Sequence, residues 1–322
     1  MLGELACRLA RGPLHFGSFR ELRTDLMARN YPAELDARLG YAPRPDYHSS
    51  DNHWGTEVSI DADGVRSNGA APPPDGERVV AVGDSFTFGD QVDDDETWPA
   101  LLERELQRPV TNGGVFGYSF AQMILRAEDL IERFAPQTLI VSFIADDLKR
   151  CRYSRRYTAV PWFDLTDDGV ELQGVPIDHS QRPATSALKR ALGYSALLDA
   201  IFANAAAQWW HIDEKQVPID HLWAHTGEVG CGLVDRIAAF CDARDVQLVL
   251  VLQGDEAIDE SRMVMAHAAE RGVTTLDLVA RYRELLAEDP SLAQRWFDGH
   301  MTEAGNQWVA EKLAELLRRT PR

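Results

Sequence analysis

From Arg78 onward the chain repeats one pattern, a short apolar run followed by a turn and an amphipathic segment. This repetition limits the fold more than any other feature. "RVVAVG" (78–83) precedes "TWPALLERELQ" (97–107). "PVTNGG" (109–114) precedes "YSFAQMILRAEDLIERF" (118–134), whose apolar residues recur at i, i+3, i+4 and i+7. "QTLIVSFI" (137–144), "VQLVLVLQG" (246–254) and "VTTLDL" (273–278) are further runs of the same kind, flanked by helical sequence. Runs that are apolar at successive positions belong to strands covered on both faces. Strands alternating with helices of this length imply βαβ crossovers. The expected fold is α/β, a three-layer α/β/α sandwich around a mainly parallel five-stranded sheet.

The flanking segments break the pattern. Residues 1–77 read as an N-terminal extension, with Leu22, Leu26 and Met27 at helical spacing. Within it, "TEVSIDADGVRSN" (56–68) alternates around Asp63-Gly64, a hairpin signal. "AAPPPDGER" (70–78) is a proline-rich connector. In the domain 78–322, residues 151–232 read as an insertion beside the carboxyl edge of the sheet, where open α/β folds place ligands. It holds a hairpin signal at Asp168-Gly169 and one long helix over "SALKRALGYSALLDAIFANAAAQWW" (186–210).

Charge and cysteine usage exclude several functions. A net charge of −18 repels phosphate backbones and anionic membrane faces, so nucleic acid is not an expected partner. No apolar run approaches the ~20 residues that span a bilayer. The start, "MLGELACRLARGPLHFGSFRELR", lacks a signal-peptide core. Cys7, Cys151, Cys231 and Cys241 are scattered with no CxxC pair, which points to a reduced, cytoplasmic protein without a disulfide framework. His221 and His225 have the i, i+4 spacing of a zinc pair, but no glutamate follows His221 and no third ligand accompanies them. No metal is expected.

The chemistry centres on "AVGDSFTFGD" (81–90). Ser85 lies just past the end of the first strand, in a turn that offers free backbone N–H groups. A serine hydroxyl needs a base, and the base needs an orienting group. His300, in "RWFDGHMTEAGNQWVAEKL" (295–313), is the best candidate base, with Asp298 two residues earlier on a loop anchored by the helix that begins near Thr302.

With these residues in this order, the chain resembles the SGNH, or GDSL-type, hydrolase family. "GDSFTFG" (83–89) matches its first block, with Ser85 as nucleophile. "NGGVFGYSFAQ" (112–122) is similar to the second, where Gly117 would supply an oxyanion N–H. "DGHMTEAGN" (298–306) is similar to the last, with His300 as base and Asp298 as its partner, two steps apart where the family commonly has three. The third block, usually Gly-x-Asn-Asp, stands here as "FIADDL" (143–148), with Asp146 where the oxyanion-stabilising asparagine belongs. Asp146 would help there only as the neutral acid, a form that burial beside Asp147 favours. Either aspartate could instead cap the following helix. The basic cluster "KRCRYSRR" (149–156) comes next, so that Arg150 or Arg152 could bind a substrate carboxylate or phosphate, or the cluster is solvated surface. Asp84 and Asp147 join these arginines as candidate substrate-binding residues.

The resemblance implies a serine esterase that removes an acyl group, acetyl among the candidates, from an ester of a small molecule or sugar. It implies no metal or organic cofactor. Two alternatives stay open beside it: an O-acyltransferase using the same residues, and a non-catalytic binding protein whose oxyanion hole has degenerated at Asp146.

Overall fold

Each of the five apolar runs becomes a strand of one central sheet. In chain order the elements are β1 (Val79–Gly83), α1 (Ser85–Phe88), α2 (Trp98–Leu106), β2 (Val110–Asn112), α3 (Phe120–Phe134), β3 (Thr138–Phe143) and α4 (Ala145–Arg150). Then come α5 (Thr226–Asp242), which begins inside the segment 151–232 read as an insertion, β4 (Gln247–Leu252), α6 (Asp259–Glu270), β5 (Thr274–Asp277), α7 (Leu278–Glu288) and α8 (Glu303–Arg319). The sheet order is β5-β4-β3-β1-β2, parallel throughout. The computed structural model describes residues 2–9, 17–71, 73, 76–181 and 185–320. Pro72, Pro74 and Asp75 of the proline-rich connector lie outside the described residues.

Successive residues of each strand feed different layers, which is why the runs are apolar without alternation. Val80, Val82, Leu139, Val141, Leu248 and Leu250 are buried with residues of α3, α5 and α6. Val79, Ala81, Ile140, Val249 and Val251 are buried on the opposite face with residues of α2, α7 and α8. The sheet is therefore covered on both sides, the α/β sandwich expected.

The N-terminal residues do not stand apart from this core. Leu26, Leu39, Tyr41, Val58, Ile60 and Val65 are buried in the same cluster as α3. The helix expected around Leu22–Met27 is a single turn, Glu21–Thr24, ended by extended backbone at Asp25. The Asp63-Gly64 turn forms with one bridge, Ile60 to Arg66, rather than a full hairpin. Arg66 pairs onward with Asn112 at the end of β2, and strand Val58–Ile60 takes Tyr47–Ser49 as its antiparallel partner.

In the insertion the Asp168-Gly169 hairpin forms, Trp162–Thr166 against Gly169–Gln173. The long helix does not. It splits into Ala187–Leu192 and Ala196–Ala205, because Ser195 caps the second piece by accepting from Leu198 N at 3.2 Å. Among the described residues no helix is long and apolar enough to cross a membrane, and all four cysteines are free.

Arg66 is the interaction that ties the N-terminal segment to the strand ends. Its guanidinium is buried, 2 % exposed as a residue. It pairs with Asp94 at 3.0 Å and donates to the carbonyls of Glu57 (2.9 Å), Phe88 (2.7 Å), Val92 (2.8 Å) and Gly89. Removing one partner of a buried ion pair strands the other charge. Arg66→Met is thus expected to lower the unfolding free energy by about 3–5 kcal/mol, read by urea denaturation. A loss below about 1 kcal/mol would mean that the loop finds other donors.

Candidate active site

The sheet order decides where a site can form. β1 pairs with β2 on one side and β3 on the other, so the connections leaving β1 and β3 part at their carboxyl ends. Ser85 follows β1, and Asp147 and Arg150 lie on α4, directly after β3.

Gly83 makes the turn possible, since a Cβ there would lie 2.0 Å from Thr87 Oγ1 and 2.5 Å from Ser142 O. The chain then enters α1, a one-turn helix that begins on Ser85 itself, where the sequence suggested only a turn. Asp84 caps it, accepting from Phe86 N at 2.9 Å. As a first-turn residue Ser85 has no intrahelical acceptor for its N–H, and none is recorded elsewhere among the described residues. The N–H of Gly117 is equally free among them. Gly117 holds φ at +72°, a left-handed backbone that suits glycine.

His300 arrives from the other end of the chain. It sits in a two-residue bridge, with Asp298 paired opposite it across Gly299. Behind the bridge Trp296 stacks on Trp308 at 4.6 Å, and Thr302 caps α8 by accepting from Gly305 N. Asn306 Oδ1 accepts from Trp98 N at 2.9 Å and so joins the starts of α8 and α2. The His300 ring lies 5.2 Å from the Phe86 ring, and its backbone N–H donates to Gln91 Oε1 at 3.2 Å. Its Nε2 is 2.9 Å from Ser85 Oγ. Two residues 215 apart in sequence thus share one hydrogen bond, with Ser85 only 5 % exposed.

The other candidates separate. Asp298 is exposed, and among the described residues its carboxylate makes no hydrogen bond to His300. Asp146 differs from expectation: its side chain is 59 % exposed, not buried, and accepts from Lys149 Nζ at 3.1 Å. The helical turn of α4 instead buries Asp147, which caps α4 by accepting from Ile144 N at 2.8 Å. Asp84 and Asp147 are both fully buried and hold Arg150 rather than facing substrate. Arg150 donates to Asp84 Oδ2 at 3.2 Å, to Tyr118 O at 3.0 Å and to Asp147. Burial opposes its charge, but Asp147 and Asp84 outweigh burial and hold the guanidinium charged more firmly than usual. Arg152 does not join the site. It pairs with Glu260 at 2.8 Å, donates to Thr226 Oγ1 at 2.7 Å and lies over the Trp223 ring. His221 bonds Asp164 at 2.8 Å, and no metal-ligand cluster exists among the described residues.

One residue near the base gave no sequence signal. Asp90 hides in an acidic run that reads as surface, yet it is 4 % exposed, with Oδ2 3.7 Å from His300 Nε2 and Oδ1 without a partner. Burial first and Asp84 second push its carboxyl up to about 8, against the opposing pull of Arg66. His300 moves the other way: burial holds it below the usual imidazole range, with Asp84 opposing and Arg150 assisting. At neutral pH this imidazole is therefore free to accept a proton.

Residues 81–308 match the GDSL-like lipase/acylhydrolase family, and the chain belongs to that family. Ester hydrolysis is its general chemistry. Among solved structures the chain is similar to a catalytic mutant of Axe2, an acetylxylan esterase from Geobacillus stearothermophilus. The identity is 15%, over 75% of this chain and 94% of that one, with a TM-score of 0.42. It is similar to the psychrotrophic esterase EstA from Pseudoalteromonas sp. at 10% identity, over 76% and 98%, with a TM-score of 0.41. It is also similar to LAE5, an alpha/beta hydrolase enzyme from the metagenome of Lake Arreo, at 13% identity, over 75% and 94%, with a TM-score of 0.43. No curated protein matches the chain.

The Asp90 carboxyl gives a signed pH test. In the folded chain it keeps its proton to about pH 8, whereas unfolded it ionises near the ordinary 3.8. Between those values the native state binds the extra proton, so wild-type stability falls as pH rises. Asp90→Asn is expected to gain on wild type by up to about 1.4 kcal/mol per pH unit across that window, levelling off above it. Urea midpoints at pH 5 and pH 9 check this, and an equal difference at both would show that Asp90 does not titrate there.

Proposed function

We propose that this chain hydrolyses an O-acyl ester of a small molecule or sugar through an acyl-enzyme on Ser85. The observation that carries the reading is the 2.9 Å contact between Ser85 Oγ and His300 Nε2, at the start of a helix whose first N–H is free. His300 Nε2 takes the Ser85 proton as Oγ attacks the carbonyl carbon. The carbonyl oxygen becomes an oxyanion between the N–H groups of Ser85 and Gly117. Collapse breaks the ester C–O bond, and His300 returns the proton to the leaving alcohol. Water then attacks the acyl-enzyme by the same steps in reverse order.

The exposed position of Asp146 weakens the binding-protein alternative, because a carboxylate paired with Lys149 leaves the two N–H donors undisturbed. A missing side-chain donor costs roughly 3 kcal/mol of transition-state stabilisation, which slows such an enzyme without silencing it. Asp298 is exposed and unbonded to the ring, so in this reading it contributes little at His300. Gln91 and Phe86 hold the ring's position.

Ser85→Ala is expected to abolish hydrolysis of p-nitrophenyl esters and labelling by a fluorophosphonate probe, with the thermal melt unchanged. His300→Ala should cost as much, because nucleophile and base act as a unit. Asp298→Asn should cost about tenfold or less, far below the ~10⁴ seen where the carboxylate is buried and bonded. Activity of Ser85→Ala within tenfold of wild type would move the nucleophile elsewhere.

A further inference from the structure

Arg66 has five N–H donors, and all five are taken: Nε by Asp94, the others by the carbonyls of Phe88, Gly89, Glu57 and Val92. None is left for Asp90, which sits inside the loop that those bonds hold. The carboxyl of Asp90 therefore feels the guanidinium only as a field. Its backbone carbonyl accepts from Thr56 Oγ1 at 3.1 Å, while its Oδ1 is closed off and has no partner among the described residues. Asp93 and Asp94 of the same acidic run are bonded, Asp93 to Glu57 N at 2.7 Å and Asp94 to Arg66. A buried acid without a bonded counter-ion calls for an explanation.

The loop brings two neighbouring residues to one imidazole. Gln91 Oε1 accepts from the His300 N–H at 3.2 Å, and Asp90 Oδ2 lies 3.7 Å from Nε2, the nitrogen that also faces Ser85. When Ser85 attacks an ester carbonyl, its proton moves to Nε2 and the ring becomes a cation. That cation is the counter-ion that Asp90 lacks. The other carboxylates near the ring are less well placed. Asp84 is committed to Arg150, and Asp298 is exposed. Asp146, Asp255 and Glu256 line a cleft of about 330 Å³ with His300, but they stand exposed to water, which screens them.

We propose that Asp90 is a positioning residue for the proton transfer: as the carboxylate, it stabilises the imidazolium that His300 becomes as Ser85 attacks, the part expected of Asp298. The proposal rests on the ester reading above and deepens it. The groups around Asp90 set when it can act. Asp84 at the start of α1 opposes its ionisation, Arg66 of the N-terminal segment favours it, and the Tyr31 phenol stays neutral because burial pushes it up. Burial dominates, so the proton leaves only at about pH 8. His300, with Asp84 and Arg150 acting on it in opposite senses, is held below the usual imidazole range and is neutral well before that. Asp90 thus lends His300 no charge at neutral pH and a full negative charge above about pH 8.

The test is the pH dependence of kcat/KM on one p-nitrophenyl ester, for wild type, Asp90→Asn, Asp90→Glu and Asp298→Asn. Wild type is expected to rise in two steps, the first below the usual imidazole range and the second near pH 8. The second step should be at least tenfold, since an opposite charge within about 4–6 Å favours an ionised group by that much or more. Asp90→Asn, which matches the neutral acid in shape, should lose the second step. The ratio of wild type to this variant should then grow at least tenfold between about pH 6.5 and pH 9.5, whereas a merely structural loss would lower the rate alike at every pH. Asp90→Glu, which restores a carboxylate, should recover part of the step. Asp298→Asn should keep it, because an exposed carboxylate stays ionised across the whole range. A single step in wild type, a ratio constant with pH, no recovery in a folded Asp90→Glu, or a step lost in Asp298→Asn and kept in Asp90→Asn overturns the proposal and leaves the ester reading standing. The wild-type profile decides alone if neither Asp90 variant folds, two steps upholding the proposal and one overturning it. No hydrolysis at any pH, with no probe labelling at Ser85, overturns both.

Discussion

A single buried carboxylate holds the parts of this site in one place. Asp84 caps the helix that begins on the nucleophile, lies 3.4 Å from Ser85 Oγ, and receives Arg150 from the next strand's helix. Arg150 in turn reaches Asp147 and the carbonyl of Tyr118, which borders Gly117. The ends of β1, β2 and β3 are thus joined through charged groups with little access to water. A buried charge without its partners is costly, so this arrangement tolerates little movement. A serine poised to attack needs such restraint more than it needs flexibility.

The central sheet was legible in the sequence because its signal is local. Every strand was an apolar run, and the helices that follow β1 and β2 carried their stripes within one stretch of chain. Ser85 and His300, which the fold brings to 2.9 Å, were legible as a pair because short blocks carry them. The other features depend on partners distant in sequence. Asp146 and Asp147 are adjacent and chemically identical, yet one turn of helix buries the second and exposes the first. Nothing in "ADD" distinguishes them. Asp90 stands among acidic residues whose composition suggests solvent, and only the arrival of His300 and Arg66 reveals its burial. The break in the helix at Gly193 needed the cap at Ser195 to be weighed against a continuous apolar stripe.

The two sides of His300 are electrostatically unlike. Toward the sheet stand the buried groups Asp84 and Arg150, and Asp90, whose carboxyl burial pushes up to about 8. Toward the cleft stand exposed carboxylates in water, weakened by screening. The His300 imidazole is held below its usual range by the first environment and borders the cleft through the second. Desolvation is therefore concentrated around the Ser85–His300 contact, while the cleft entrance is open to water.

Arg66 lies outside residues 81–308, yet its guanidinium supplies the donors for the carbonyls of Phe88, Gly89 and Val92 inside that stretch. The span that carries family likeness is thus shorter than the span that must be made together for the loop beside the base to close. Grafting 81–308 onto a foreign leading segment would transplant Ser85, His300 and the cleft, and leave behind the cation around which their loop is wound. For protein recombination, the usable cut lies upstream of Glu57, not at the start of the first strand.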